Sequence, residues 1–467
     1  MQLFRCATLF GLLLLSSPAF AYEDDFVIMP STTSRVPSSV SHNEALPYVY
    51  RTPQVPLDVK GYPVAPPELE LEQVHVYVRH GERTPVGIRL ASFIPEHWLM
   101  CKTGRQRMPA VEDVGGIPRT RRVVEKKDGT AAEGLCLLGE LTDIGLKSTF
   151  NYGDALRRLY IDRLQFLPDI LKTREEIYFR STNMPRTIES LEQVMGALYP
   201  PSKCQALPPI LVRNGRDENL LGNTMSCKRL EYLQIGFAQA AAAAYNQTLE
   251  PLDKHVSKYL EGRPIRIDGK PRASGVLDTI RAAVAHGIKV PPEFEDKAVV
   301  DVIEQAVVNE WFAGYKTQEV RRLGMGPLLA DLSQKMQRKV ERGAEDPLKI
   351  LIHSTHDTAL AAMCATLDVF DEKWPAFTAA ITFELFKKTP PTARQSYLQA
   401  IFSSPFKTSA APEYFVRMRY QNKNMALPVC AEEGKHLDGH PEICTLAAFR
   451  DRVKELTPVD WDAECLY

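Results

Sequence analysis

No Cys-x-x-Cys pair and no His-Glu-x-x-His stretch occurs in the chain, so the short spacings that build zinc sites are missing. Neither sign of charge is in excess: 57 Lys+Arg stand against 58 Asp+Glu, a net charge of -1. That balance removes the long-range field of a nucleic-acid binder or a membrane-surface protein, so any anion site has to be local. Beyond Ala21 there is no apolar run of bilayer-spanning length, and 26 Gly with 34 Pro exclude collagen and wholesale disorder. What is present is an ordinary globular balance, 44% hydrophobic and 25% charged over 467 residues. At roughly 100–200 residues per domain, two or three domain-sized units are expected.

Met1 to Ala21 begins with Arg5, continues through the apolar stretch around Leu9 to Leu15 and ends in small residues. This is the form of a secretory signal cleaved after Ala21. Removing Cys6 with it leaves eight of nine cysteines, an even number that suggests disulfides in an exported chain. Cys430 and Cys444 flank a short polar segment and are expected to pair with each other. Asn246-Gln247-Thr248 is a glycosylation sequon.

Between Tyr22 and Pro67 lie eight prolines and several Ser/Thr clusters with almost no apolar periodicity, an extended leader that need not fold by itself. Three strand-like stretches then run into polar turns. Val74, Val76 and Val78 alternate with His75 and Tyr77 and stop at Arg79-His80-Gly81. Ile177 to Phe179 enters Arg180-Ser181-Thr182-Asn183, and Ile350 to Ile352 enters His353-Ser354-Thr355-His356-Asp357. The last two turns are followed by helical periodicity. Strand and helix in repetition predict an α/β fold, a mixed and mostly parallel sheet flanked by helices, with ligands gathered at the strands' carboxyl ends. Residues 201–331 read as helical, a smaller cap inserted between core segments 68–200 and 332–467.

Arg79-His80-Gly81-Glu82-Arg83-Thr84-Pro85 sets two guanidinium groups around one imidazole on a turn. Arginine forks match phosphate oxygens, and a histidine between permanent cations keeps a ring nitrogen unprotonated for attack. A surface Arg/His turn bound to carboxylates would have the same composition.

The turn resembles the RHGxRxP signature of the histidine acid phosphatases, in the branch of the histidine phosphatase superfamily that includes phytases. Arg180-Ser181-Thr182 with Arg186-Thr187 is similar to the family's RSTDxxRT segment, and His356-Asp357-Thr358 to its late HD element. Gly139 to Gly145 resembles the G-x-LT-x-x-G helix start, and Cys444-Thr445-Leu446 with Phe449 the C-terminal Cys-x-Leu-x-x-Phe segment. The likeness runs from about Glu68 to the C-terminus and is weakest across the expected cap.

The resemblance implies an acid phosphatase in which His80 receives the phosphoryl group and Asp357 protonates the leaving alcohol. It implies that Arg79, Arg83, Arg180 and His356 hold the phosphate oxygens, with no metal and no cofactor. Asn183 stands where the family commonly has Asp, which removes a charge while keeping a hydrogen-bonding oxygen. His353 is expected to point away from His356, and Arg186 either sits near the pocket or pairs with a carboxylate. If Asp357 were not the acid, Glu82 or Glu384 would be next.

The implied partner is a small phosphate monoester, with no nucleic acid and no membrane insertion, and the implied location is secreted or lumenal. Narrower alternatives are a phytase, for which Lys102, Arg105, Arg107, Arg119, Arg121 and Arg122 would form a basic rim, or an enzyme for a phosphorylated sugar or a lysophospholipid. A non-catalytic phosphate binder would have lost His80 or Asp357, and both are present.

Overall fold

The computed structural model describes residues 55–103, 105–107, 120–206, 208–389 and 412–466. The expected signal peptide and leader residues 22–54 lie outside the described residues, as does Arg119 of the basic rim. The strands are β1 (Leu69–Arg79), β2 (Arg105–Arg107), β3 (Thr120–Arg122), β4 (Val124–Glu125), β5 (Ala131–Ala132), β6 (Ile177–Ser181), β7 (Ile210–Leu211), β8 (Ile350–Thr355), β9 (Ala380–Lys388), β10 (Tyr414–Tyr420), β11 (Lys423–Met425), β12 (His436–Leu437) and β13 (His440–Thr445). One nine-stranded sheet runs β12-β13-β10-β9-β1-β8-β6-β7, with β11 on β10; β2 with β3 and β4 with β5 form two small ribbons.

β1, β8, β6 and β7 pair in parallel, whereas β9, β10, β11, β12 and β13 join the sheet antiparallel. The sheet is therefore mixed, and parallel pairing is confined to the half that carries the three polar turns. In that half the three expected strands are neighbours. Arg79 lies opposite Thr355, and Ser181 opposite Ser354, so all three turns leave one edge together.

Helices cover both faces. α1 (Asp143–Arg157) and α2 (Pro185–Leu198) pack Leu156, Leu191 and Val194 on Val74, Val76 and Val78. α3 (Lys228–Val256), α4 (Ala273–Ala285) and α5 (Lys297–Phe312) build a second core from Leu249, Val276, Ile280 and Ile303, into which Leu90 and Trp98 insert. α6 (Gln318–Gly324), α7 (Gly326–Arg342), α8 (Asp357–Thr366) and α9 (Leu446–Leu456) cover the face that carries Tyr77 and Phe383. The boundary expected at 331/332 falls inside α7. Among the described residues no helix is long and apolar enough to cross a membrane.

Among the described residues there are three disulfides: Cys101–Cys136, Cys227–Cys465 and the expected Cys430–Cys444. Cys204 and Cys364 are free, so the even count of cysteines does not mean that all are paired. Asn246 sits inside α3, where its side chain donates to Asp268 and accepts from the backbone N–H of Ile267. The last part of the leader joins the fold: Tyr62 is buried and donates to Glu384 at 2.7 Å, and Arg163 donates to the carbonyls of Lys60 and Tyr62.

Candidate active site

The signature turn begins where β1 ends and is fixed by its backbone. His80 N–H donates to Thr355 O, Thr378 N–H to His80 O, and Thr84 N–H to Glu140 O. Thr142, the N-cap of α1, donates its backbone N–H to Glu82 O. Glycine is required at the crossing of turn and helix: a Cβ on Gly81 would lie 2.4 Å from Gly145 O, and one on Gly145 2.1 Å from Glu82 O. These two glycines belong to separate sequence motifs and meet here.

His80 is 1% exposed. Its Nδ1 lies 2.9 Å from Gly81 O. A carbonyl only accepts, so Nδ1 carries the proton and Nε2 presents the lone pair. Burial, then Arg186, Arg79, Arg83 and His356 all act in one direction, holding the imidazole well below its usual proton affinity. The His356 ring is 5.5 Å away, its Nε2 against Thr182 Oγ1 at 3.0 Å, and the same influences, opposed by Asp357, lower it to about 3.

Asp357 opens α8. Its Oδ2 receives Arg79 Nη2 at 2.6 Å and the Trp374 indole N–H at 2.9 Å, while Oδ1 accepts from Thr358 N–H at 2.8 Å. Burial pushes this carboxyl up, but Arg79, Arg83 and the Trp374 hydrogen bond outweigh it and hold the group at about 2. Arg79 lies over the Phe377 ring at 4.0 Å, and Arg83 pairs with Asp278 of α4 at 2.9 Å.

Five of the six expected residues, Arg79, His80, Arg83, His356 and Asp357, thus share one cluster. Arg180 does not join it. Its guanidinium pairs with Glu218, donates to Asn219 Oδ1 at 2.7 Å and lies 3.8 Å from Asp331. Arg186, in the first turn of α2, is instead the foremost charged influence on both His80 and His356. Both arginines lie in the same RST-x-x-x-RT stretch, and strand against helix decides which one faces the histidines.

Trp374, Phe377 and Asp278 were not singled out from the sequence; they come from a loop and a helix with no motif. His353 stacks on Tyr77 at 4.5 Å and lies against Val76 O. Glu82 accepts from Ser148 Oγ at 2.6 Å beneath the turn, and Glu384 is bound to Arg417, Tyr62 and Tyr160. Neither carboxylate is placed as Asp357 is. Asn183 is exposed.

A profile for the histidine phosphatase superfamily (branch 2) matches residues 70–421. A probable acid phosphatase of Schizosaccharomyces pombe is 34% identical over 439 residues, covering 86% of this chain and 95% of that protein. Lysophosphatidic acid phosphatase type 6 of Homo sapiens is 26% identical over 410 residues, covering 85% and 86%. Among solved structures, Hafnia alvei phytase in complex with tartrate superposes with a TM-score of 0.54 at 14% identity, over 86% of this chain and 100% of that one, a likeness of fold.

Proposed function

Because the chain belongs to branch 2 of the histidine phosphatase superfamily, among the histidine acid phosphatases, we propose that it hydrolyses phosphate monoesters through a phosphohistidine on His80. The observation that carries this reading is the set of positive neighbours around a buried histidine whose Nδ1 faces a carbonyl. The Nε2 lone pair attacks phosphorus as the P–O ester bond breaks, and the departing alkoxide takes the Asp357 proton. Water then attacks phosphorus, its proton returns to Asp357, and the P–N bond breaks to release phosphate. Arg79, Arg83, Arg186 and His356 hold the oxygens of a loose transition state. The role the resemblance gave Arg180 is assigned here to Arg186, since Arg186 acts on both His80 and His356 while Arg180 lies among Glu218, Asn219 and Asp331.

The low proton affinity of Asp357 belongs to the state in which Arg79 is its partner. A phosphate dianion competes for Arg79, and the carboxyl then holds a proton more readily. An acidic, lumenal or extracellular setting suits such an acid, and the three disulfides support an oxidising compartment. A glycan on Asn246 would have to displace its bonds to Asp268 and Ile267, so we leave that sequon unmodified in this reading.

An apolar-tailed monoester such as lysophosphatidic acid is favoured over phytate. Ile88, Leu137 and Leu138, each about half exposed, make an apolar surface beside Thr84 and Pro85 of the signature turn. The cationic head of Arg122, expected on a phytate-binding rim, pairs with Glu140. The test is Asp357→Asn, read on two esters. Proton donation contributes about 10²–10⁴-fold, and it matters most for a poor leaving group. Glycerol phosphate should slow far more than p-nitrophenyl phosphate, and equal losses with unchanged KM would overturn the assignment of Asp357.

A further inference from the structure

Trp374 lies in the loop before β9, outside every motif, yet its indole N–H reaches Oδ2 of Asp357. The loop is fastened from the opposite side. Trp374 N–H donates to Glu304 Oε1 of α5 at 2.7 Å, Arg281 of α4 pairs with the same carboxylate at 2.6 Å, and Arg281 also donates to Trp374 O at 3.4 Å. The ring packs on Phe312 at 5.3 Å between centroids. Glu304 is 7% exposed, so these bonds are sheltered from water.

Arg79 and Trp374 share Oδ2 of Asp357 but face different futures in turnover. Arg79 is a phosphate ligand in the reading above, on which this inference rests: a phosphate competes with Oδ2 for its Nη2, while its Nη1 donates to Pro375 O at 2.6 Å. Trp374 has no charge to offer a phosphate and stays.

From this arrangement the geometry points to Trp374 as a positioning residue for proton transfer: its N–H holds Oδ2 of Asp357 in place when substrate engages Arg79, and Glu304 with Arg281 holds Trp374. The charged and polar groups facing this carboxyl are Arg79 and Arg83 from the signature turn, His356 beside it, the Thr358 N–H of its own helix and Trp374. The Trp374 bond favours the ionised carboxyl. Removing the bond raises the pH at which Asp357 loses its proton, and an enzyme that needs this proton then keeps its rate to higher pH. A hydrogen bond of ordinary strength corresponds to a shift of about one pH unit.

The test is Trp374→Phe, with kcat and KM measured on glycerol phosphate and p-nitrophenyl phosphate across pH. The expected result is a fall of about tenfold in kcat on glycerol phosphate, a much smaller fall on the aryl ester, unchanged KM and an alkaline limb moved upward. Equal losses on both esters, or an unmoved limb, would overturn the proposal and leave Trp374 as packing. Glu304→Gln keeps the indole and serves if the first variant folds poorly. It should show the same discrimination more weakly, and equal losses there count against the proposal. Asp357→Asn separates the two levels: if it fails to discriminate, the acid is wrongly assigned, and if it discriminates while Trp374→Phe does not, only the role of Trp374 fails.

Discussion

Two buried charged clusters lie on one sheet and are built to opposite ends. Around His80, the cations Arg79, Arg83 and Arg186 all act against protonation of the ring. Around Glu384, 0% exposed, every contact closes on itself: Arg417 binds it through two nitrogens at 2.8 and 2.7 Å, and Tyr62 and Tyr160 donate at 2.7 and 2.9 Å. Arg417 also donates to Tyr62 Oη and Pro63 O. Burial disfavours the charge of Glu384, yet Arg417, Arg419 and the Tyr62 hydrogen bond hold its carboxyl below the usual range. In the reading proposed above the first cluster receives an anion, whereas the second neutralises its own charge. A buried charge is therefore not by itself evidence of chemistry: the neighbours of Glu384 neutralise it, whereas those of His80 keep its ring uncharged.

Breaking the closed cluster should give the largest structural effect. Glu384→Ala leaves Arg417 buried and unpaired, a loss of about 3–5 kcal/mol, visible as a drop in melting temperature. The activity of the protein that stays folded should be nearly unchanged, and a full loss of kcat in folded protein would erase the contrast. The pH dependence has a definite sign. A carboxyl with a depressed pKa stabilises the fold above its unfolded value and loses that contribution as pH falls through the folded value, so Glu384 supports the fold into acid.

Removing a cation from the open cluster should do the reverse. Arg186→Ala is expected to lower kcat/KM by about 10²–10³-fold, a loss read on the protein that stays folded. Arg180→Met in the same segment should cost stability through Glu218 more than it costs turnover, and the opposite ranking would restore Arg180 as the phosphate ligand. The smallest effect is expected at the edge: Asp278→Asn weakens the partner of Arg83 and should change KM by about threefold, with kcat held.

Much of this was legible in the sequence because it is local. Strand alternation in Val74, Val76 and Val78 and the polar turns at Arg79, Arg180 and His353 located the three adjacent strands and the edge where they end. The short loop between Cys430 and Cys444 pointed to its own closure. What was not legible depends on distant partners. The choice between Arg180 and Arg186 is made by Glu218, which arrives on a later segment, and by the helix that turns Arg186 inward. Cys227 finds Cys465 across 238 residues. The antiparallel half of the sheet comes from strands beyond the third turn whose order no motif records. Trp374 reaches Asp357 only because α4 and α5 hold its loop, and nothing in its neighbouring residues marks it.

The most direct test of the central claim is to quench the enzyme in alkali during turnover of a phosphate-labelled ester and map the labelled peptide. The account predicts label on His80, stable in base and lost in acid, and absent with activity in His80→Ala. An acid-stable label on a Ser or Asp, or turnover that survives His80→Ala, would contradict it.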